Sequence, residues 1–160
     1  MIEYRVGDLF DFEGRAIAHG CNTRGLMGAG IAKIVADRYG SVFVDYATAC
    51  SPYNKSTSRL VPGDAQMCYT PMGGIVFNLA TQDHPGAHAQ YHWVERSFAR
   101  MFELMHVVDV NEVAVPRIGC GIGGLKWHGV EEAIKRAQAT APDGPMVVVY
   151  THPSEEEKTW

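Results

Sequence analysis

Along this 160-residue chain, short β-branched or aromatic runs alternate with longer stretches in which apolar residues recur every three or four positions. The runs fall at Ile2 to Val6, Ala16 to His19, Ala65 to Thr70, Gly74 to Leu79, Glu112 to Pro116 and Met146 to Tyr150. Each is bounded by Gly, Pro or Asp and is expected to be a strand. Ala29 to Tyr39, Val42 to Cys50, Ala89 to His106 and Val130 to Ala139 carry helical spacing, best shown by Phe98, Met101, Phe102 and Met105. A strand, a helix and a strand in succession need a crossover, and repeated crossovers put helices on both faces of a sheet. The expected fold class is therefore α/β: a three-layer α/β/α sandwich with a mixed, largely parallel six-stranded sheet.

The length suits one domain, expected over residues 1 to 153. Ser51 to Pro62 is polar and reads as a surface loop. Ser154 to Trp160, with three consecutive glutamates, reads as a mobile acidic tail. Fourteen basic against eighteen acidic side chains leave a net charge of -4, which argues against nucleic acid as a general partner. No apolar run reaches membrane-spanning length and no signal-peptide pattern opens the chain, so a cytoplasmic protein with no membrane partner is expected. Cys21, Cys50, Cys68 and Cys120 form no C-x-x-C pair and are expected to be free thiols. A monomer is expected.

Seventeen glycines exceed the roughly 11 that an average frequency would give. Eight lie in two clusters, Gly20, Gly25, Gly28 and Gly30, then Gly119, Gly121, Gly123 and Gly124, each between a strand and a helix. In an open α/β sheet, ligands bind beyond the carboxyl ends of strands, where helix N-termini offer free N–H groups to anions. Two such loops suit a diphosphate, whereas tight turns alone would explain one of them. Gly119 to Gly124 spells G-x-G-x-x-G, but it stands late in the chain and Tyr150-Thr151 ends the next strand where a dinucleotide fold needs an acid. No Walker sequence exists, because Leu125 follows Gly124, and no cysteine begins a phosphatase-type Cys-five residues-Arg loop.

Gly7-Asp8-Leu9, His19-Gly20-Cys21-Asn22, Gly28-Ala29-Gly30-Ile31-Ala32 and Pro116-Arg117-Ile118-Gly119-Cys120-Gly121, in that order, resemble the macro domain over about Ile2 to Pro153. Macro domains bind ADP-ribose. The second and fourth motifs look like a branch containing three kinds of enzyme. These are terminal glycohydrolases acting on glutamate-linked ADP-ribose, bacterial relatives that reverse DNA ADP-ribosylation, and ADP-ribose 1″-phosphate phosphatases.

The resemblance implies a set of ADP-ribose contacts and no other cofactor. Asp8, beside Leu9, would accept a hydrogen bond from the adenine amino group, or else cap a turn. Tyr150 would stack on adenine, or belong to the core. Gly28, Ala29, Gly30, Ile31 and Ala32, with Gly119, Cys120, Gly121, Ile122, Gly123 and Gly124, would cradle the diphosphate and distal ribose with backbone amides. Asn22 would bond the distal ribose hydroxyls, or make an Asx turn into Thr23 to Gly25.

The glycohydrolase branch carries a lysine after the strand that here ends Asn78-Leu79-Ala80-Thr81, and an aspartate in the second glycine loop. This chain has Gln82 and Asp83 at the first place and Gly123 at the second, so the lysine and aspartate dyad is unsupported. His19, Asn22, Gln82 and Asp83 are the remaining candidates for orienting a water. Asp83-His84 offers either an acid-base pair or a solvated loop. His84, His88 and His92 recur every four residues, but Pro85 and Gly86 break the helix that would align them, so no metal site is expected. The expected function is hydrolysis of ADP-ribose esters on acidic side chains of ADP-ribosylated protein, with a non-catalytic ADP-ribose reader and the 1″-phosphate phosphatase as alternatives.

Overall fold

The computed structural model describes residues 1–54 and 59–160. Six strands, β1 (Ile2–Val6), β2 (Ala16–Cys21), β3 (Ala65–Tyr69), β4 (Ile75–Ala80), β5 (Glu112–Val115) and β6 (Met146–Thr151), form one sheet in the order β1-β6-β5-β2-β4-β3. All neighbours are parallel except β3, which pairs antiparallel with β4 through the tight Thr70 to Gly74 turn. The mixed, largely parallel sandwich is as expected.

Four helices cover the sheet: α1 (Gly30–Arg38), α2 (Gly40–Cys50), α3 (Tyr91–Val107) and α4 (Trp127–Thr140). Strand alternation divides the core between the two faces. Ala16, Ala18, Phe77, Leu79, Val113 and Val147 meet the stripe of Phe98, Met101, Phe102 and Met105 on α3 and Val130, Ala133 and Ile134 on α4. Burying each of the large stripe residues contributes about 1.5 to 3 kcal/mol. The opposite face, with Cys21, Val76 and Ala80, packs against Val35 of α1 and Val42, Tyr46 and Cys50 of α2. A smaller cluster of Leu9, Ala114 and Val148 seals the sheet beneath the segment after β1.

The five parallel strands deliver their following loops to one end of the sheet. Every candidate binding residue lies there: Asp8 and Leu9 after β1, Asn22 to Ala32 after β2, Gln82 and Asp83 after β4, Gly119 to Gly124 after β5, and Tyr150 at the end of β6. The expected surface loop Ser51 to Pro62 falls partly outside the described residues, which omit 55–58; its described part has no helix or strand. The acidic segment Ser154 to Trp160 begins in a single 3-10 turn at Pro153–Glu155, and Trp160 packs against the core on the α3 and α4 side. No helix among the described residues is long and apolar enough to cross a membrane.

Candidate functional site

The segment after β1 joins the last strand through Gly7 N–H, which donates to Thr151 O at 3.0 Å. This sets the Tyr150 ring 3.5 Å from where a Gly7 Cβ would stand, with Phe12 edge-on at 6.2 Å. Asp8 Oδ1 accepts from Phe10 N–H at 2.9 Å and caps the turn Leu9–Asp11. One carboxylate oxygen therefore does the capping, and no hydrogen bond to the other is found among the described residues. Leu9 is buried and anchors the segment.

The first glycine loop ends in α1, whose N-cap, Ala29, makes no side-chain capping bond. The N–H groups of Gly28, Ala29, Gly30, Ile31 and Ala32 have no partner among the described residues. In the second loop, Gly124 N–H donates to Gly121 O and Leu125 N–H to Gly119 O, folding the chain into consecutive turns. The N–H groups of Gly121, Ile122 and Gly123 are left unpaired among the described residues. The loops converge, since Ile122 Cδ1 lies 3.5 Å from the position of a Cβ on Gly30. Together they gather unpaired N–H groups beside a helix N-terminus, an arrangement that attracts anions without a basic side chain.

Gly123 is glycine for a steric reason. A Cβ there would sit 2.7 Å from Gly119 O and 2.9 Å from Ala89 Cβ. Cys120 in the same loop has its thiol directed at Ile118 O (3.7 Å), and burial pushes its pKa up to about 11, so it is no nucleophile at neutral pH.

The four residues considered for orienting water separate in space. His19 is fully buried on the α1 and α2 face, with Nε2 2.6 Å from Asn78 Oδ1. Asn78 Nδ2 donates to Gln66 Oε1 at 3.0 Å, so its oxygen is the acceptor and His19 carries its proton on Nε2. Burial lowers the His19 pKa to about 4, which makes it a neutral core residue. Asn22 is also largely buried. Its Oδ1 accepts from Arg24 N–H (2.9 Å) and from the Tyr46 hydroxyl (3.0 Å), and its Nδ2 donates to Leu26 O (2.8 Å). These bonds are those of the Asx turn, here extended to Leu26 and to Tyr46, which also donates to Asn22 O.

Gln82 Nε2 donates to His84 O at 2.9 Å and braces its own loop. Asp83 ties that loop to the first glycine loop: Thr23 Oγ1 donates to Oδ1 and Arg24 pairs with Oδ2, both at 3.1 Å. Arg24 and Thr23 hold its carboxyl below the usual range, which keeps it ionised and engaged. The rings of His84 and His88 are in contact with centroids 3.6 Å apart, while His92 turns to Trp93. Among the described residues the trio near enough to share an ion is His128, Glu131 and Glu132 on α4, where Lys135 already pairs with both carboxylates.

Several contributors escape a reading by motif. Thr23, Arg24 and Tyr46 lock the first loop. Arg117 anchors the second: its Nε donates to Thr151 Oγ1 at 3.2 Å, and its guanidinium carbon lies 5.5, 5.0 and 5.3 Å from the ring centroids of Tyr4, Trp127 and Trp160. The resemblance includes Arg117 in its fourth motif, but nothing local in sequence signals that three aromatics converge on it.

A parallel-sheet α/β/α sandwich with an anion-receiving cleft between two glycine loops defines a class of phosphate-ligand-binding domain. Within that class this chain belongs to the macro domain family, whose model matches residues 18–134. The DNA ADP-ribosyl glycohydrolase of Mycobacterium tuberculosis is 28% identical over 148 residues, 92% of this chain and 42% of that protein. An ADP-ribose 1″-phosphate phosphatase of Aspergillus clavatus is 33% identical over 127 residues, 68% of this chain and 63% of that one. Among solved structures, the macrodomain of Mycobacterium tuberculosis DarG superimposes with a TM-score of 0.79 at 28% identity, covering 94% of this chain and 97% of that one. The chain thus spans less than half the length of the glycohydrolase, but nearly all of its separately solved macrodomain.

Proposed function

We propose that this macro domain binds ADP-ribose in the cleft between its glycine loops and hydrolyses an ADP-ribosyl linkage at the distal ribose. The observation that carries this reading is the double row of unpaired backbone N–H groups, Gly28 to Ala32 facing Gly121 to Gly123. It lets a chain of net charge -4 take up a doubly negative ligand. Adenine would lie between Asp8 and Tyr150, at the end of the same row. Water would be positioned by loops that are already locked, so orientation and electrostatic preorganisation supply the rate. The cytoplasm and a monomeric state accord with this reading.

The acceptor implied by the resemblance is an acidic side chain, released from an ester. A second acceptor, DNA, is favoured by the names of the mycobacterial and Thermus aquaticus relatives, both DNA ADP-ribosyl glycohydrolases. Calorimetric titration with ADP-ribose tests the cleft. Release of ADP-ribose from glutamate-modified protein and from a modified oligonucleotide tests turnover. Binding with no release above buffer from either would leave a reader, and phosphate release from ADP-ribose 1″-phosphate would identify the phosphatase.

A further inference from the structure

The stretch 82–89, between β4 and α3, is held from both sides. The first glycine loop grips it through Thr23, whose N–H donates to Asp83 O at 3.2 Å, and through the Arg24 pair with Asp83. The second grips it through Ala89 N–H, which donates to Gly123 O at 3.2 Å, and through Ala87, whose Cβ lies 2.9 Å from a Cβ position on Gly124. Two exposed imidazoles, His84 and His88, stand on this clamped stretch, which borders both glycine loops. The rings of His84 and His88 are in contact, centroids 3.6 Å apart with planes tilted by 33°, and His84 Nδ1 lies 3.6 Å from Asp83 Oδ2.

We propose that His84 is the general acid of the hydrolysis, with Asp83 as its positioning residue and His88 as the ring that fixes its plane. The inference rests on the hydrolase reading above. Asp83 is bound by Thr23 and Arg24, so its carboxylate cannot turn to serve as a free base. It can hold the Nδ1 side of His84 and stabilise the imidazolium, which leaves Nε2 to deliver a proton. The charged or titratable groups beside the ring are Asp83 and His88 on its own loop, and Arg24 of the first glycine loop pairs with Asp83.

In the step itself, a water oxygen bonds to the anomeric carbon of the distal ribose as the bond from that carbon to the acceptor breaks. The proton on Nε2 passes to the leaving atom, and the proton shed by water returns the imidazole to its acid form. Free ADP-ribose and the protonated acceptor are the products. A carboxylate leaves without such help, whereas a base nitrogen does not, so the acid matters most for a nitrogen-linked acceptor.

The test uses the full chain, with glutamate-modified protein and a base-modified oligonucleotide as probes, and pairs the wild type with His84→Gln and Asp83→Asn. ADP-ribose affinity should stay within about twofold in His84→Gln, because the side chain is exposed and outside the amide rows. Release from the oligonucleotide should fall by roughly 100-fold, while release from the glutamate-modified protein, whose carboxylate leaves unaided, should change far less. Asp83→Asn should show the same split between the two probes, an effect a loosened loop alone would not produce. An unchanged rate of oligonucleotide release in His84→Gln would overturn the assignment while leaving the hydrolase reading intact. A wild type that binds ADP-ribose but releases none from either probe would overturn both.

Discussion

His19 and Asn78 face each other across the β2 and β4 register and share a 2.6 Å hydrogen bond in the core. Because Asn78 is also bonded to Gln66, and Gln66 to Asp45 O, the pair anchors a polar line from the sheet centre to the middle of α2. Burial, against the opposing pull of this bond, holds His19 neutral, and this gives the fold a pH dependence that is independent of any ligand.

The folded pKa of His19, about 4, lies below its unfolded value of about 6.5. Between those values the unfolded chain binds a proton that the folded chain refuses, so stability falls as pH drops through the window. The slope should approach 1.4 kcal/mol per pH unit near its middle. Urea titrations of the wild type and His19→Gln at pH 7 and pH 5 should show the acid-side loss in the wild type and a much smaller one in the variant.

Asp8 caps the turn after β1 and, in the proposed reading, also receives the adenine. Asp8→Asn keeps an oxygen for Phe10 N–H but gives up the charge, whereas Asp8→Ala loses both. A hydrogen bond to a charged group contributes about 1.5 to 3 kcal/mol, so both variants should bind ADP-ribose about tenfold or more weakly. Only Asp8→Ala should also lose about 1 kcal/mol of stability with the cap. Calorimetry and thermal melting separate the two effects, and unchanged affinity in both variants would contradict the adenine placement.

Placing the relatives' acid in the second loop should fail. In Gly123→Asp the new Cβ collides with Gly119 O and Ala89 Cβ, neither of which is the flexible end of a side chain. The expected outcome is a loss of roughly 1 to 3 kcal/mol and weaker ADP-ribose binding. A gain in turnover without a fall in melting temperature would refute the steric reading.

Tyr46 lies wholly in the core, yet it governs the cleft through Asn22. Tyr46→Phe leaves Asn22 O without that donor and should cost about 1 to 3 kcal/mol. Affinity for ADP-ribose should fall with it, because the loop leading to Gly28 loses its inner tether. Hydrogen exchange at Arg24 and Leu26 would report the loosening directly.

Every strand and helix was legible from periodicity, and the differences lie at the ends. β2 runs on through Gly20 and Cys21 because Leu79 and Ala80 supply parallel partners, an influence outside the local pattern. α4 starts at Trp127, three residues before its apolar repeat is evident, with Trp127 itself in the core. The glycine loops were legible because they need particular backbone shapes. The fate of His19 was not, since a histidine in a motif looks the same whether its ring enters a cleft or a core. Nor were the Asp83 clamp and the Arg117 cage, which join residues distant in sequence.

The contact between the position of a Gly123 side chain and Ala89 also bears on the room at the second loop. Ala87, Ala89, Gly123 and Gly124 pack as one close-set unit, so a side chain added at 123 or 124 displaces the stretch opposite, and the loop is held to chemistry that dispenses with an acid at that place.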